Sequence, residues 1–188
     1  MRLPKPMVEG RKTERMSNVS FRMMVLFFDI IDFVYPHVAR RAERFGIGAG
    51  MTVVDYGCGP GRYTLNFAKL VGEEGKVYAL DIHELAIETV KKRMAKRNLR
   101  NVQPILIEGY SSTLPDGTAD VVCAIDMFFI IKSPAEFLAE LKRITKRNGI
   151  LVIDDGHQPR SSTRQKILDS GLWDIFEETP DHLKCKPR

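Results

Sequence analysis

An α/β fold built on a doubly wound, mostly parallel sheet is what this sequence predicts, and three observations predict it. Residues 51–63, MTVVDYGCGPGRY, run from a β-branched apolar strand through alternating glycines into a helix start. Four later apolar runs, at 76–81, 102–109, 119–126 and 150–155, are separated by segments with helical spacing of their apolar residues. Runs such as 119–126 are continuously apolar, as expected for parallel strands covered by helices on both faces. Two last segments, 172–178 and 182–186, flank Thr179-Pro180-Asp181 and read as a closing hairpin.

The glycine loop carries most of the chemistry. Thr52, Val53 and Val54 suit a buried strand, while Gly57, Gly59 and Gly61 allow left-handed backbone angles and close approach of a ligand. A helix opening at about Arg62 aims its first N–H groups and its positive dipole end back at the loop, which favours an anionic group there. A dinucleotide fingerprint is broken, because Arg62 occupies the place of the third glycine of G-x-G-x-x-G, and no Gly-Lys-Ser/Thr follows to make a phosphate loop. Asp55, two residues before Gly57, repels a pyrophosphate and attracts an ammonium. S-adenosylmethionine meets these demands: its carboxylate faces the helix start, its ammonium the Asp55 side, and its ribose the next strand. On this reading Gly57, Cys58, Gly59 and Gly61 line the cofactor. Asp81 ends the second strand about twenty positions beyond the glycines, where a carboxylate accepts from ribose hydroxyls. A helix cap for residue 84 onward is its alternative role, and Ile82 is placed to pack on the adenine face.

VVDYGCGPG resembles the first motif of class I S-adenosylmethionine-dependent methyltransferases, and the order of the later segments is similar as far as the C-terminus. Within that family the chain is most similar to the small group related to the ubiquinone/menaquinone biosynthesis methyltransferases. The resemblance implies a Rossmann-like, seven-stranded sheet with an antiparallel C-terminal strand, with S-adenosylmethionine as cofactor and S-adenosylhomocysteine as product. It also implies an adenine contact after the third strand. Related enzymes usually present an acid there; this chain has Gly109-Tyr110 after Glu108, so backbone groups around Tyr110 are the expected contact. Asp126, at the end of the fourth strand, completes the expected cofactor set.

Taken in order, residues 1–16 contain five Lys/Arg with Pro4, Pro6 and Gly10, show no apolar period, and read as a flexible tail. Residues 17–188 read as a single methyltransferase domain, with lid helices at about 17–46 as the resemblance implies. Ser17 or Asn18 caps a first helix with two apolar stripes, Phe21, Met24, Phe28, Ile31 and Met23, Phe27, Ile30, Val34. Pro36 opens a second helix that stops at Gly46. Further helices are expected at 62–71, 84–97, 133–147 and 161–170, with Asn148-Gly149 ending the third of these.

Composition narrows the function. With 188 residues and 44% hydrophobic content, one domain with a real core is expected, and three scattered cysteines suit a reducing cytoplasm. No signal peptide or membrane-inserting span is apparent, because the most apolar stretch, 23–35, is short and carries Asp29 and Asp32. The leading reading is a methyltransferase for a small apolar or aromatic molecule, suggested by the Phe/Met-rich first helix. Net charge +5, the basic tail and the cluster at 91–100 keep an RNA or protein substrate as a second reading. A cofactor-binding protein without turnover is the third. DMFF after the fourth strand departs from the Asn/Asp-Pro-Pro-Tyr/Phe pattern of base amino-group methyltransferases. Asp126, Asp154, Asp155 and His157 fall at strand ends near the reaction zone: His157 as a base, or the three carboxylates as a divalent-metal site. None is assigned as catalytic, no metal is assigned, and the oligomeric state is left open.

Overall fold

The computed structural model describes residues 15–34 and 37–188. The tail expected over 1–16 lies outside the described residues as far as position 14, and so does Pro36. The strands are β1 (Thr52–Tyr56), β2 (Lys76–Asp81), β3 (Val102–Leu106), β4 (Ala119–Ala124), β5 (Thr145–Ile153), β6 (Trp173–Glu178) and β7 (Leu183–Pro187). The helices are α1 (Asn18–Val34), α2 (His37–Ala42), α3 (Thr64–Val71), α4 (Glu84–Lys96), α5 (Pro134–Ile144) and α6 (Arg160–Asp169).

One seven-stranded sheet has the order β3-β2-β1-β4-β5-β7-β6. β1 pairs in parallel with both β2 and β4, so the chain reverses its direction of winding at β1 and opens a crevice beyond the ends of β1 and β4. β7 runs antiparallel to β5 and to β6. Strand alternation explains the continuous apolar runs: Val53, Val121 and Cys123 pack under α2, α3 and α4, while Val54, Val122 and Ala124 pack under α5 and α6. Cys58, Cys123 and Cys185 are all buried and unpaired. Among the described residues no helix is long and apolar enough to cross a membrane.

Several boundaries differ from the sequence expectation. The helix expected over 133–147 ends at Ile144, and Thr145 already pairs with Ala119 as β5 begins. Gly149 does not end a helix. A Cβ there would meet the carbonyl oxygens of Ala119 and Asp120 at 2.9 Å, so its glycine admits close backbone approach at the β4–β5 irregularity. α3 starts at Thr64 rather than Arg62, and β3 and β4 end at Leu106 and Ala124. Ser17 caps α1, its hydroxyl accepting from the Ser20 N–H at 3.2 Å.

Candidate active site

The loop between β1 and α3 is folded onto β2. The amides of Gly57 and Cys58 donate to the Leu80 carbonyl at 2.8 and 2.9 Å, and the Gly59 amide to Asp81 Oδ2 at 2.8 Å. Asp81 Oδ1 accepts from the His83 N–H at 2.8 Å, and His83 itself caps α4 by accepting from Leu85 N–H. Asp81 therefore ties the loop to β2 and leaves the capping to His83.

The three glycines do different work. At Gly61, with φ 82°, a Cβ would lie 2.9 Å from Val90 Cγ2, so this glycine lets α4 approach. Gly57 faces Met127 at 3.0 Å, whereas nothing lies within 4 Å of a Cβ at Gly59. The open backbone at Gly59, beside the Asp81 carboxylate, is a cradle of the kind a nucleoside needs. Arg62 turns outward and stacks its guanidinium 3.9 Å above the Phe28 ring of α1. Ile82 is half-buried after Asp81. Gly109 takes φ 61° with open space before it, while Tyr110 is tied inward: its carbonyl accepts from the Tyr56 hydroxyl and its own hydroxyl accepts from Ser133 N–H at 3.2 Å.

Asp55 lies buried under the loop, its Oδ2 accepting from the Thr64 hydroxyl at 2.5 Å. Burial pushes its carboxyl up to about 7, against the pull of the Thr64 hydrogen bond. A ligand ammonium nearby would restore the ionised form, so the buried acid fits a cationic ligand. The Cys58 thiol is pushed up by burial and then by Asp81 and Asp55, which leaves it unreactive. Because the folded pKa of Asp55 is raised above the ordinary ~3.9, its stabilising neutral form is complete at low pH and lost as pH rises through about 7. The melting temperature is therefore expected to rise as pH falls from about 8 towards 5. Thermal unfolding of Asp55→Asn across that range should show a weaker dependence; an unchanged slope would remove Asp55 from this account.

Beyond the ends of β4 and β5 lies a cavity of about 450 Å³ lined by His37, Arg41, Arg44, Asp126, Asp154 and their neighbours. Arg41, reaching in from α2, organises it. Its guanidinium donates to Asp154 Oδ2 at 2.8 Å, to the Tyr63 hydroxyl at 2.8 Å and to the Asp181 carbonyl at 2.5 Å, and lies 3.9 Å from Asp126. Burial works against the charge of Arg41, but Tyr63, Asp154 and Asp126 more than offset it, so its pKa is raised. Burial and the neighbouring Asp126 charge raise the Asp154 carboxyl despite the Arg41 contact. Asp154 Oδ1 in turn accepts from the Asp126 N–H at 2.8 Å and holds that residue at φ 59°, a strained angle for a residue with a Cβ. The Asp126 side chain is half exposed and lines the cavity.

The three carboxylates considered as a metal site face arginines instead. Asp154 turns to Arg41, while Asp155 is held by Arg160 Nε at 2.8 Å. Among the described residues no group of three or more His, Cys, Asp or Glu could hold a metal ion. His157 packs edge-on against Phe129 at 4.8 Å, and that ring covers Gly156 at the cavity wall. Sequence reasoning missed Arg41 and Tyr63. A signal existed: Val38, Ala42 and Phe45 make the buried stripe of this segment, and Arg41 falls three residues after Val38, beside that stripe, where a cation needs buried acids.

A sheet of this order, with its antiparallel β7 and a glycine loop between β1 and α3, defines a class I methyltransferase fold. The chain belongs to the methyltransferase domain family, whose model matches residues 47–184. It is 31% identical over 120 residues to the demethylmenaquinone methyltransferase of Geobacillus stearothermophilus, covering 62% of this chain and 50% of that protein. It is 27% identical over 172 residues to the ubiquinone/menaquinone biosynthesis C-methyltransferase UbiE of Teredinibacter turnerae, covering 88% of this chain and 69% of that protein. The chain thus spans half to about two thirds of the length of these curated relatives. A crystal structure of a SAM dependent methyltransferase from Aquifex aeolicus superposes with TM-score 0.73 at 28% identity, covering 80% of this chain and 89% of that one. Helices α1 and α2 precede the residues that the family model matches.

Proposed function

We propose that the protein is an S-adenosylmethionine-dependent methyltransferase acting on a small aromatic or apolar acceptor that carries an ionisable hydroxyl. The observation that carries this reading is that the glycine loop abuts the cavity organised by Arg41, Asp154 and Asp126: Tyr63, at the end of the loop, accepts from Arg41 at 2.8 Å, and Gly57 faces Met127, the neighbour of Asp126. The names of the quinone methyltransferases among its relatives support an acceptor of this kind.

S-adenosylmethionine supplies, when bound, an electrophilic methyl group on a sulfonium. Asp81 would hold the ribose hydroxyls, Ile82 the adenine face, Gly109 and the Tyr110 backbone the adenine edge, and Asp55 the ammonium side. Gly57, Cys58, Gly59 and Gly61 form the loop beneath. Transfer needs the acceptor atom held in line with the methyl group, which the cavity walls provide by position. Asp126, lining the cavity with its carboxylate, would take the acceptor's hydroxyl proton as that oxygen, or the ring carbon it activates, becomes nucleophilic; on the carbon route the ring proton then leaves to water as the ring regains aromaticity and its hydroxyl is re-protonated. Arg41 and Asp154 would hold Asp126 in place. α1, with Phe28 under Arg62, would act as the lid.

Calorimetric titration with S-adenosylmethionine and S-adenosylhomocysteine, followed by radiolabelled methyl transfer to a panel of hydroquinones and catechols, tests the proposal. Binding of both nucleosides in the micromolar range and label in at least one phenolic acceptor are expected. Absence of nucleoside binding overturns the cofactor assignment. Binding with label confined to RNA or protein overturns the acceptor class.

A further inference from the structure

We propose that α1 and the C-terminal half of α4 form a docking face for an anionic lipid bilayer surface. α1 is apolar on two opposite sides. One side packs on the domain: Phe21 is 3% exposed and stacks on His83 at 4.5 Å, and Phe28 lies under Arg62. The opposite side stands in water, with Val19 70%, Met23 69%, Leu26 64%, Phe27 40% and Ile30 58% exposed. Their spacing of four, three, one and three residues puts all five within about 100° of the helix circumference, over roughly 16 Å of its length. Five of the eight exposed large hydrophobic residues among the described residues lie on this stripe, so it is a patch and not the ordinary scatter of a surface.

The charge beside the stripe decides what covers it. α4 lies alongside α1, joined by the Phe21–His83 stack at one end and by Arg93 to Asp29 at 2.5 Å at the other. Beyond that pair, Lys91, Lys92, Lys96, Arg97 and Arg100 are exposed and have no ion pair among the described residues. No acid occurs in the sequence between Glu88 and Glu108. An apolar stripe flanked by lysines and arginines is the composition of a helix that lies in the plane of a membrane interface, its apolar side at the acyl boundary and its cations among anionic headgroups. RNA would engage the cations but leave five apolar side chains wet. A second copy would cover the stripe but set two basic surfaces against each other. Docking of this kind is peripheral and needs no spanning segment. The docking does not depend on the function proposed above.

The test uses the full chain with phosphatidylcholine vesicles, with and without phosphatidylglycerol, in a flotation assay at low and high salt. Binding is expected to the mixed vesicles, about tenfold or more weaker without phosphatidylglycerol, and weakened by salt. Leu26→Glu with Ile30→Glu should lose vesicle binding at least about tenfold with an unchanged melting temperature, since both side chains are exposed. Lys92→Glu with Lys96→Glu should abolish the preference for phosphatidylglycerol. Vesicle binding that survives Leu26→Glu with Ile30→Glu, or a face that binds only single-stranded RNA, overturns the proposal. So does a dimer by light scattering that those substitutions dissolve in a chain without vesicle affinity. A chain that titrates S-adenosylmethionine but ignores vesicles at low salt sinks the docking face alone and leaves the cofactor reading standing.

Discussion

Arg41→Ala is expected to destabilise the protein by about 3–5 kcal/mol, because it strands a buried carboxylate. The Asp154 side chain is only 4% exposed, and its counter-charge is the Arg41 guanidinium at 2.8 Å. Without it Asp154 faces Asp126 alone, and burial with like charge drives its pKa further upward. The loss should therefore depend on pH in a defined sense. At high pH, where Asp154 must ionise, the variant melts well below the parent; as pH falls and Asp154 takes up a proton, the gap narrows. Thermal unfolding of both proteins between about pH 5 and 8 measures this. Turnover should fall by roughly 100-fold with little change in nucleoside affinity, because Asp154, which holds the Asp126 backbone, loses the guanidinium that positions it, and Asp126 loses the cation 3.9 Å away. Arg41→Lys should recover only part, since an ammonium cannot reach Asp154, Tyr63 and the Asp181 carbonyl at once. A variant with parent-like stability at every pH would mean that the pair contributes nothing and that the cavity is organised otherwise.

What the sequence made legible was whatever a local period or a local motif encodes. Val53 and Val54 point to opposite faces of β1 as any neighbouring pair must, so a doubly covered strand could be inferred from their both being apolar. Asp55, the glycines and Asp81 sit within one strand–loop–helix–strand unit, and their spacing alone brings them together. Arg41 could not be read in the same way. Its partner Asp154 is 113 positions away, and nothing near either residue specifies the other. Gly149 misled for a related reason, because Asn-Gly after a helical period looks like a helix stop, whereas here the glycine answers to the carbonyl oxygens of Ala119 and Asp120 across the sheet. The first helix was legible as apolar on more than one face; which face meets the protein depends on His83 and Arg62, both long-range contacts.

Gly59 and Gly61 should respond oppositely to enlargement, and the contrast separates a ligand-facing glycine from a packing one. At Gly61 a side chain meets Val90 at 2.9 Å with φ 82°. Gly61→Leu should cost about 1–2 kcal/mol for the left-handed backbone and about 1–3 kcal/mol for overpacking, read as a lower melting temperature. At Gly59 the space ahead is open, so Gly59→Leu should melt within about 1–2 kcal/mol of the parent. On the proposed assignment that same side chain fills the nucleoside cradle, so S-adenosylhomocysteine binding should be lost almost completely. Asp81→Ala belongs with Gly59. It removes the acceptor of the Gly59 and His83 amides and, in the proposed complex, of two ribose hydroxyls. Hydrogen bonds to a charged group contribute about 1.5–3 kcal/mol each, so affinity should fall roughly 100-fold or more by calorimetry. If Gly59→Leu binds nucleoside as the parent does while Gly61→Leu does not, the cofactor does not lie over Gly59, and the site must be redrawn around the α3–α4 contact.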